Sequence, residues 1–383
     1  MILRIDHSLE RKVHRIAVCK FVGMGSIVQS TPLLKTLRKN FPDAWIVFVT
    51  NKSNRLLFDL IDEVDEVITI SDKSIFSLVH SSFRMVWKLW RNRPDVFIDL
   101  EIYSNYSSVI TTLSLSRNRM GFFKDDKTYR KGMYTHMMFY NLKAPVSNTY
   151  LQFSRLMNCR EIVQDVSLNR SRISDQEIIS LREKLELGTK PYLLINPNAS
   201  DLRLERRWPA EKVIALINSI SQEYNSFHLV LIGDKTESEH VKLITSKLDA
   251  NVSVIDSSGR MSLRELIVLI GFADLLVTND TGPMHLAFAL RTATVSLFGP
   301  CTPQQYGGTE KTISIYKNLY CSPCVHEFII PPCKGDNQCM KKIDVSEVAE
   351  AIRKALKNDF ISAEKNQIDY RHLNGEALGM VVR

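Results

Sequence analysis

Short apolar runs alternate with amphipathic stretches along most of the chain. Ser30–Asn40 has the apolar spacing of a helix, with a proline near its start. The runs that predict strands in the first half are Arg15–Val22, Trp45–Thr50, Glu66–Ile70 and Val96–Leu100. Strands that alternate with helices predict an α/β protein with a parallel, doubly wound sheet.

The pattern weakens between about residues 119 and 167 and then restarts. We predict a linker near 168–176 and a helix over 176–187, followed by four further strands. These strands are Tyr192–Asn196, Phe227–Ile232, Leu275–Thr278 and Thr294–Phe298. Because single cores stop growing near roughly 250–300 residues, a chain of 383 residues is expected to form two domains. We expect these domains over 1–170 and 171–350, with a C-terminal helix and tail over 351–383.

The composition is that of an ordinary globular protein, with 44% hydrophobic and 24% charged residues. It excludes disorder, collagen-like repeats and coiled coil as descriptions of the whole chain. Apolar runs stay well short of the ~18–20 residues that cross a bilayer, and the first residues lack the apolar core of a signal peptide. We therefore expect a cytoplasmic protein.

Charge is distributed unevenly along the chain. Residues 1–170 hold 25 Lys+Arg and 16 Asp+Glu, a balance of +9, whereas the rest hold 25 and 26, a balance of −1. A basic first half suits an anionic partner such as a phosphorylated glycolipid, a membrane surface or nucleic acid. An ordinary solvated basic surface explains the same excess.

The loops after the strands are the candidate sites, because open α/β sheets bind ligands at the carboxyl ends of their strands. Gly23–Val28 follows the first strand and half-matches the dinucleotide fingerprint. However, Val28 occupies the third glycine position, and Thr50-Asn51 stands where a ribose-binding acid is expected. NAD binding is therefore not expected. A tight turn that needs small residues accounts for the glycines, although a substrate can still approach there.

The segment TNDTGPMH, residues 278–285, lies between a predicted strand and a predicted helix. Asp280 or Thr281 can cap that helix, Gly282 removes side-chain bulk, and unpaired N–H groups at the helix start face outward. His285 falls within the first turn, where its imidazole could donate to a phosphate oxygen or serve a merely structural role. Together these residues predict a cradle for a diphosphate.

Two further loops could complete a phosphate site. Residues 196–201 carry small hydroxyl and amide side chains and run on to Arg206-Arg207, which suits a phosphate clamp. A solvated arginine pair is the alternative. In the loop after the strand 227–232, Glu237 could hold a ribose hydroxyl or simply cap a helix.

Four of the seven cysteines form the pattern C-x₂-C-x₈-C-x₅-C. They are Cys321, Cys324, Cys333 and Cys339. Four thiols within nineteen residues would suit a structural, tetrahedral Zn²⁺ site. A disulfide and reduced packing cysteines are the alternatives. No catalytic metal or other cofactor is expected.

Three segments resemble glycosyltransferase family 9, the heptosyltransferase family of lipopolysaccharide assembly. They are GMGSIVQSTPLLKTLRKNFPDA, NPNAS with RRWP, and above all TNDTGPMHLAFALRTATVSLFGPCTPQQYGG. The resemblance covers roughly residues 13–350 and implies a GT-B fold, two Rossmann-like domains that face a cleft. It places the acceptor on the N-terminal domain and the sugar nucleotide on the C-terminal one. The implied reaction is metal-independent, inverting transfer of a sugar, commonly from ADP-heptose, to a lipopolysaccharide or related surface glycan.

The resemblance also implies which residues bind the nucleoside diphosphate. Thr281, Gly282 and His285 would contact the diphosphate. Asp280 would lie beside the donor, and Glu237 would hold the ribose. Ser200 and Arg206 would take the family's hydroxyl and basic phosphate positions. An anionic glycolipid or glycan is the implied acceptor, and we expect peripheral contact with the inner face of the cytoplasmic membrane.

One position departs from the family pattern. The family has Gly-Asp in the first loop, with that Asp proposed as the base for the acceptor hydroxyl, whereas this chain has Gly25-Ser26. A serine cannot accept the proton unaided, and general base catalysis typically contributes about 10²–10⁴-fold. Asp99 and Glu101 are the nearest substitutes, because their strand should also end at the cleft. We hypothesise that Glu101 replaces the missing base; the alternative is that both are loop or cap acids.

Two rival functions remain at this stage. The loss of the first-loop Asp at Ser26 also fits a protein that binds a sugar nucleotide but has impaired catalysis. A nucleic-acid-binding function would use the basic first half. It is not expected, because the sequence lacks an interleaved aromatic and basic platform or a recognition motif.

Overall fold

The computed structural model describes residues 7–123, 125–199, 201–325, 328, 331, 333–357 and 380–381. The described residues form two compact units, the first with residues 7–169 and 380–381 and the second with residues 170–357. We call them the N-terminal unit and the C-terminal unit. The predicted domain bounds 1–170, 171–350 and 351–383 stay a prediction.

The N-terminal unit is built on a seven-stranded sheet of order β13-β6-β5-β4-β1-β2-β3, in which β13 alone among the paired strands runs antiparallel to its neighbour. Its strands are β1 (Arg15–Cys19), β2 (Trp45–Asn51), β3 (Glu66–Ile70), β4 (Val96–Asp99), β5 (Asn118–Phe123), β6 (His136–Phe139) and β13 (Met380–Val381). Its helices are α1 (Met24–Val28), α2 (Thr31–Asn40), α3 (Ile75–Arg91), α4 (Asn105–Leu113) and α5 (Val146–Leu156). Residues 52–60 and 125–132 form 3₁₀ segments.

The C-terminal unit repeats this plan with a six-stranded parallel sheet of order β12-β11-β10-β7-β8-β9. Its strands are β7 (Tyr192–Asn196), β8 (His228–Leu231), β9 (Ile255–Asp256), β10 (Leu275–Asn279), β11 (Thr294–Phe298) and β12 (Thr312–Tyr316). Its helices are α6 (Asp175–Lys184), α7 (Ala210–Glu223), α8 (Ser238–Thr245), α9 (Leu263–Gly271), α10 (Gly282–Ala289), α11 (Pro303–Tyr306), α12 (Gln338–Lys341) and α13 (Val345–Leu356).

The central strands are apolar because both faces of each sheet are covered. Residues 16–19 of β1 and residues 192–195 of β7 are buried, which explains their uninterrupted hydrophobic character. Helix α7 presents one apolar face to the core and buries Val213, Leu216 and Ile217. Hydrophobic burial on two separate sheets therefore gives each unit its own core.

The stretch with weak periodicity, residues 119–167, contains regular elements that the sequence analysis missed. β5 carries Asn118 and Arg119, yet both are buried, and the Arg119 side chain donates to the carbonyl oxygens of Ser116 and Met133. β6 begins with the buried His136. These polar residues are buried because they hydrogen bond inside the protein. They interrupt the apolar pattern from which a strand is predicted.

The strand order fixes where ligands can bind. In the N-terminal unit β1 lies between β2 and β4, and in the C-terminal unit β7 lies between β8 and β10. At such points the connections leave toward opposite sides, which opens a crevice at the carboxyl ends of the strands. The loops after β1 and β4, and those after β7 and β10, are therefore the candidate ligand-binding loops.

Candidate active site

Asp99 ends β4 and is completely buried. Its Oδ1 accepts a hydrogen bond from the Glu101 N–H (2.9 Å), and its Oδ2 accepts from the hydroxyls of Ser107 (2.7 Å) and Tyr134 (2.5 Å). Burial raises the pKa of Asp99 to about 6, against the effect of these hydrogen bonds and of nearby Arg130. Asp99 thus has internal partners on both oxygens and fixes the backbone of Glu101.

Glu101 lies just beyond β4 and is 6% exposed. Its Oε1 accepts hydrogen bonds from the backbone N–H groups of Phe21 (2.8 Å) and Val22 (3.0 Å), and its Oε2 accepts from Lys20 Nζ (2.7 Å). The carboxylate therefore ties the loop after β4 to the loop after β1. A carboxylate has about four acceptor positions, so Oε2 keeps capacity for one more donor.

Arg130 and Tyr134 help to fix the positions of Glu101 and Asp99. The buried Arg130 donates to the backbone oxygens of Glu101 (3.0 Å), Phe122 (3.1 Å) and Ser104 (3.0 Å). Tyr134 packs against Gly121, where a Cβ atom would lie 2.4 Å from the ring. The sequence analysis missed both residues, because they lie in the weakly patterned stretch.

The first loop contains the predicted Gly25 and Ser26. Gly23 has φ +90°, a left-handed conformation that favours glycine. Gly25 is buried in the short α1, and the half-buried Ser26 hydrogen bonds with the phenol of Tyr150 on α5. Ser26 and Glu101 thus belong to loops at the same edge of the N-terminal sheet.

The predicted diphosphate cradle forms the start of α10 in the C-terminal unit. Thr281 is extended (φ −147°) and precedes Gly282 and Pro283, the first residues of the helix. All three are partly exposed. The Asn196 side chain, at the end of β7, donates to the hydroxyls of Thr281 (2.9 Å) and Thr278 (3.0 Å). A helix start with accessible backbone and a fixed hydroxyl is a suitable place for an anion.

Asp280, Arg206 and His285 come together beside this helix start. Arg206 approaches Asp280 Oδ2 to 3.5 Å, and His285 Nε2 lies 3.9 Å from Asp280 Oδ1. Asp280 is 1% exposed and His285 6%. Burial lowers the pKa of His285 to about 4, although Asp280 opposes the shift and Arg206 adds to it. The imidazole is therefore neutral at pH 7 and packs against Tyr306 and Phe288.

Several buried polar atoms at this edge of the C-terminal sheet have no hydrogen-bond partner among the described residues. They are both carboxylate oxygens of Asp280, Nε of Arg206 and of Arg207, Oδ1 of Asn198 and Nε2 of Gln305. Buried polar groups are nearly always satisfied in folded proteins. The ion pairs of Asp280 with Arg206 and His285 are long, so this cluster keeps hydrogen-bonding capacity for a bound polar ligand or water.

The remaining predicted positions have different surroundings. Glu237 precedes α8 and is half-buried; its Oε2 accepts from the Asp234 N–H (2.9 Å). Its carboxylate thus closes the loop after β8, at the same sheet edge as α10. Ser200 lies outside the described residues.

The four clustered cysteines are free thiols. Cys324 and Cys339 are buried, and burial raises the pKa of both; for Cys339 it reaches about 11. Within the part of the chain that the structure describes, no three His, Cys, Asp or Glu side chains are arranged to hold a metal ion. The zinc hypothesis stays a prediction.

Lys20 and Cys301 are site residues that the sequence analysis did not single out. Lys20 directly follows β1, and its ion pair with Glu101 could not be inferred before the pairing of β1 with β4 was known. Cys301 is buried beside Asp280, and burial raises the pKa of its thiol well above the usual value. The sequence feature that could have identified it is its position directly after β11 and the Gly-Pro turn that follows this strand.

Comparison with known proteins shows the family of the chain. The model of glycosyltransferase family 9 (heptosyltransferase) matches residues 83–331. The chain is 29% identical to lipopolysaccharide heptosyltransferase 1 of Campylobacter coli, over 74% of this chain and 84% of the relative. It is 25% identical to lipooligosaccharide heptosyltransferase 2 of Campylobacter jejuni, over 88% and 97% of the two chains.

The solved structure of Escherichia coli ADP-heptose lipopolysaccharide heptosyltransferase II superposes with a TM-score of 0.73, at 21% identity, over 90% of this chain and 99% of the other. This likeness, with the two Rossmann-like sheets, confirms the predicted GT-B fold class. The family match spans well over half the chain and includes the loops after β4, β7 and β10. The chain belongs to glycosyltransferase family 9, the heptosyltransferase family.

Proposed function

We propose that this protein transfers a heptose from ADP-heptose to the core of a lipopolysaccharide, with inversion at the anomeric carbon. The observation that carries the proposal is the cluster of buried, unsatisfied polar atoms beside the start of α10. The names of the similar proteins supply the sugar, the nucleotide and the acceptor class.

In this proposal the C-terminal unit stabilises the leaving group. When the bond between the sugar C1 and the diphosphate oxygen breaks, negative charge grows on the departing ADP. The positive end of the α10 dipole and the Arg206 guanidinium would oppose that charge without reorganising. The neutral His285 could donate one hydrogen bond to the diphosphate without adding charge. No resident metal ion is required by this arrangement of donors.

The N-terminal unit supplies the acceptor chemistry. The acceptor oxygen forms its bond to C1 while its proton must pass to a base. We propose Glu101 for that role, because its Oε2 accepts one hydrogen bond from the protein and keeps room for a hydroxyl. Asp99 acts through Glu101 as a positioning residue, since it holds the Glu101 backbone and is itself completely buried. Ser26 would line the same site, held by Tyr150.

The test is transfer from ADP-heptose to lipopolysaccharide that lacks its core heptoses, followed by ADP release and mass spectrometry of the product. Glu101→Gln should lower kcat by about 10²–10⁴-fold, because the amide cannot accept the proton. The matched control is Glu66→Gln, which removes a carboxylate that also pairs with a lysine, Lys88, elsewhere in the same unit. It should transfer at the normal rate.

Two other outcomes are informative. If folded Glu101→Gln keeps near-normal kcat, Glu101 is only a clamp of the first loop and the base proposal fails. If the unmodified protein binds ADP-heptose in calorimetry but transfers heptose to no acceptor, the rival function, a binding protein with impaired catalysis, is the correct one. Ser26 at the family's Asp position is the observation that motivates this rival.

A further inference from the structure

Helix α3 is apolar on two opposite faces. Its inner face buries Met85, Val86 and Leu89 against the N-terminal sheet. Its outer face carries a stripe at positions 76, 79, 83, 87 and 90, spaced three or four residues apart as one side of a helix requires. We call these five residues, Phe76, Val79, Phe83, Trp87 and Trp90, the outer stripe. They range from 82% exposed at Phe76 to 49% at Trp90.

The outer stripe continues onto the neighbouring helix α4. Val109 and Leu113 of α4 are also substantially exposed. Trp90 Nε1 donates to the Leu113 carbonyl oxygen (2.6 Å), which joins the two helices at this point. Contiguous exposed apolar surface of this kind, with large aromatic side chains, marks a binding surface.

The surroundings of the stripe are strongly basic. Between Asp72 and Asp95 the chain has five lysines and arginines and no acidic residue. Arg84 and Arg91 lie on α3, and the Arg91 guanidinium stacks 5.6 Å from the Trp87 ring. Arg84 forms no ion pair with the described residues. The rim of the apolar surface therefore carries positive charge that the described protein does not fully neutralise.

A cavity of about 350 Å³ opens beside the first half of α3. Its lining brings together two cationic side chains, Lys52 and Arg84, with the His80 imidazole and the hydroxyls of Ser71 and Ser77. Cationic groups with several hydrogen-bond donors are the chemistry that recognises a phosphate. Because the cavity also includes Phe76, it lies next to the outer stripe.

These features fit an anionic lipid bilayer better than a protein partner. A helix that lies in the bilayer interface has aromatic and aliphatic residues on one face and Lys or Arg along its edge. Anionic headgroups attract each nearby basic residue with about 1 kcal/mol. In the described part of the chain, no helix is long and apolar enough to cross a membrane. Contact through α3 would be interfacial.

We propose that α3, with the end of α4, is a docking surface for anionic bilayers. Phe76, Phe83 and Trp87 insert at the boundary of headgroups and acyl chains, while Arg84 and the adjoining cavity bind lipid phosphates. The cavity is lined by residues 69–71, at the carboxyl end of β3. Docking would therefore place the membrane near the sheet edge that carries Glu101. This inference goes beyond the proposed function and does not depend on it.

Flotation of the full chain with vesicles tests the proposal. The probes are phosphatidylcholine vesicles with and without about 30% phosphatidylglycerol, at low and high salt. The protein should float with the anionic vesicles and less so at high salt, because screening weakens headgroup attraction. A triple variant, F76S/F83S/W87S, should lose at least about tenfold in partitioning, since the inserted apolar area is removed. R84E/R91E should lose a similar amount on anionic vesicles.

The matched control is Trp45→Ser, which removes another half-exposed aromatic residue of the same unit outside the stripe. It should float normally. The proposal is overturned if the unmodified protein fails to float, or if the triple variant floats as well as Trp45→Ser does. It is also overturned if sedimentation shows that the unmodified protein is a dimer that the triple variant converts to monomer, because the stripe is then an interface between copies. Circular dichroism of each variant checks folding.

Discussion

Among single residues, each unit buries an ionisable group, and burial shifts the pKa values of these two groups in opposite directions. Burial raises the pKa of Asp99 to about 6 and lowers that of His285 to about 4. Each group is thereby kept closer to neutrality than in the unfolded chain. For Asp99, stabilisation is complete below its unfolded pKa of 3.8 and is lost as the pH rises through 6. For His285 the sign is reversed.

His285 should make the C-terminal unit sensitive to acid. Its pKa falls from 6.5 to about 4 on folding, so the unfolded chain binds the extra proton between these values. The stabilisation is present above pH 6.5 and is lost as the pH falls toward 4, by about 3 kcal/mol in total. Urea unfolding at pH 7 and pH 5 should show a smaller loss of stability for His285→Gln than for the unmodified chain. Parallel losses in both proteins would contradict the assignment.

At the scale of elements, the candidate site depends on strands whose pattern is hard to recognise. β5 brings Gly121 against Tyr134, and Tyr134 reaches Asp99 at the end of β4. β5 carries buried polar residues that hydrogen bond within the fold, so alternation of apolar and polar residues is lost there. By contrast β1, β3, β7 and β11 lie in runs rich in apolar residues, and the sequence predicts their positions closely.

Gly121→Ala should disturb the Asp99 network through packing. The new Cβ would lie 2.4 Å from the Tyr134 ring, so the ring must move and weaken its hydrogen bond to Asp99. We expect a loss of about 1–3 kcal/mol in the free energy of unfolding, as for other overpacked cores. Gly132→Ala is the control, because a Cβ there has no neighbour within 4 Å. Equal stability of the two variants in urea would refute the packing argument.

At the scale of the whole molecule, the tryptophans report on the two units separately. Trp208 is buried in the C-terminal core, whereas Trp45, Trp87 and Trp90 are about half exposed in the N-terminal unit. The backbone N–H of Trp208 donates a hydrogen bond to the side-chain oxygen of Asn279, the last residue of β10 and the neighbour of Asp280. In a W45F/W87F/W90F variant, Trp208 is the remaining tryptophan. Its fluorescence would therefore report the unfolding of the unit that we propose to bind the donor.

ADP should stabilise that unit. A ligand at 100 times its Kd that binds only the folded state adds about 2.7 kcal/mol, so the thermal transition of Trp208 should move to higher temperature. Adenosine at the same concentration should shift it much less, because it lacks the diphosphate that α10 and Arg206 would hold. An unchanged transition at saturating ADP would count against the proposed donor site.

The α/β class, the two-unit organisation, the family and the segments that surround the candidate site can all be predicted from the amino-acid sequence. These follow from local information: uninterrupted apolar runs, glycine and proline at helix starts, and a long string of residues around Asp280. Which side chains come into contact depends on the three-dimensional fold. Lys20 and Glu101, or Arg206 and Asp280, are more than seventy residues apart in the chain and come together because strand order places their loops at one sheet edge. The fold also determines which face of α3 is buried. A helix with two apolar faces gives no indication in its sequence of which face packs against the sheet.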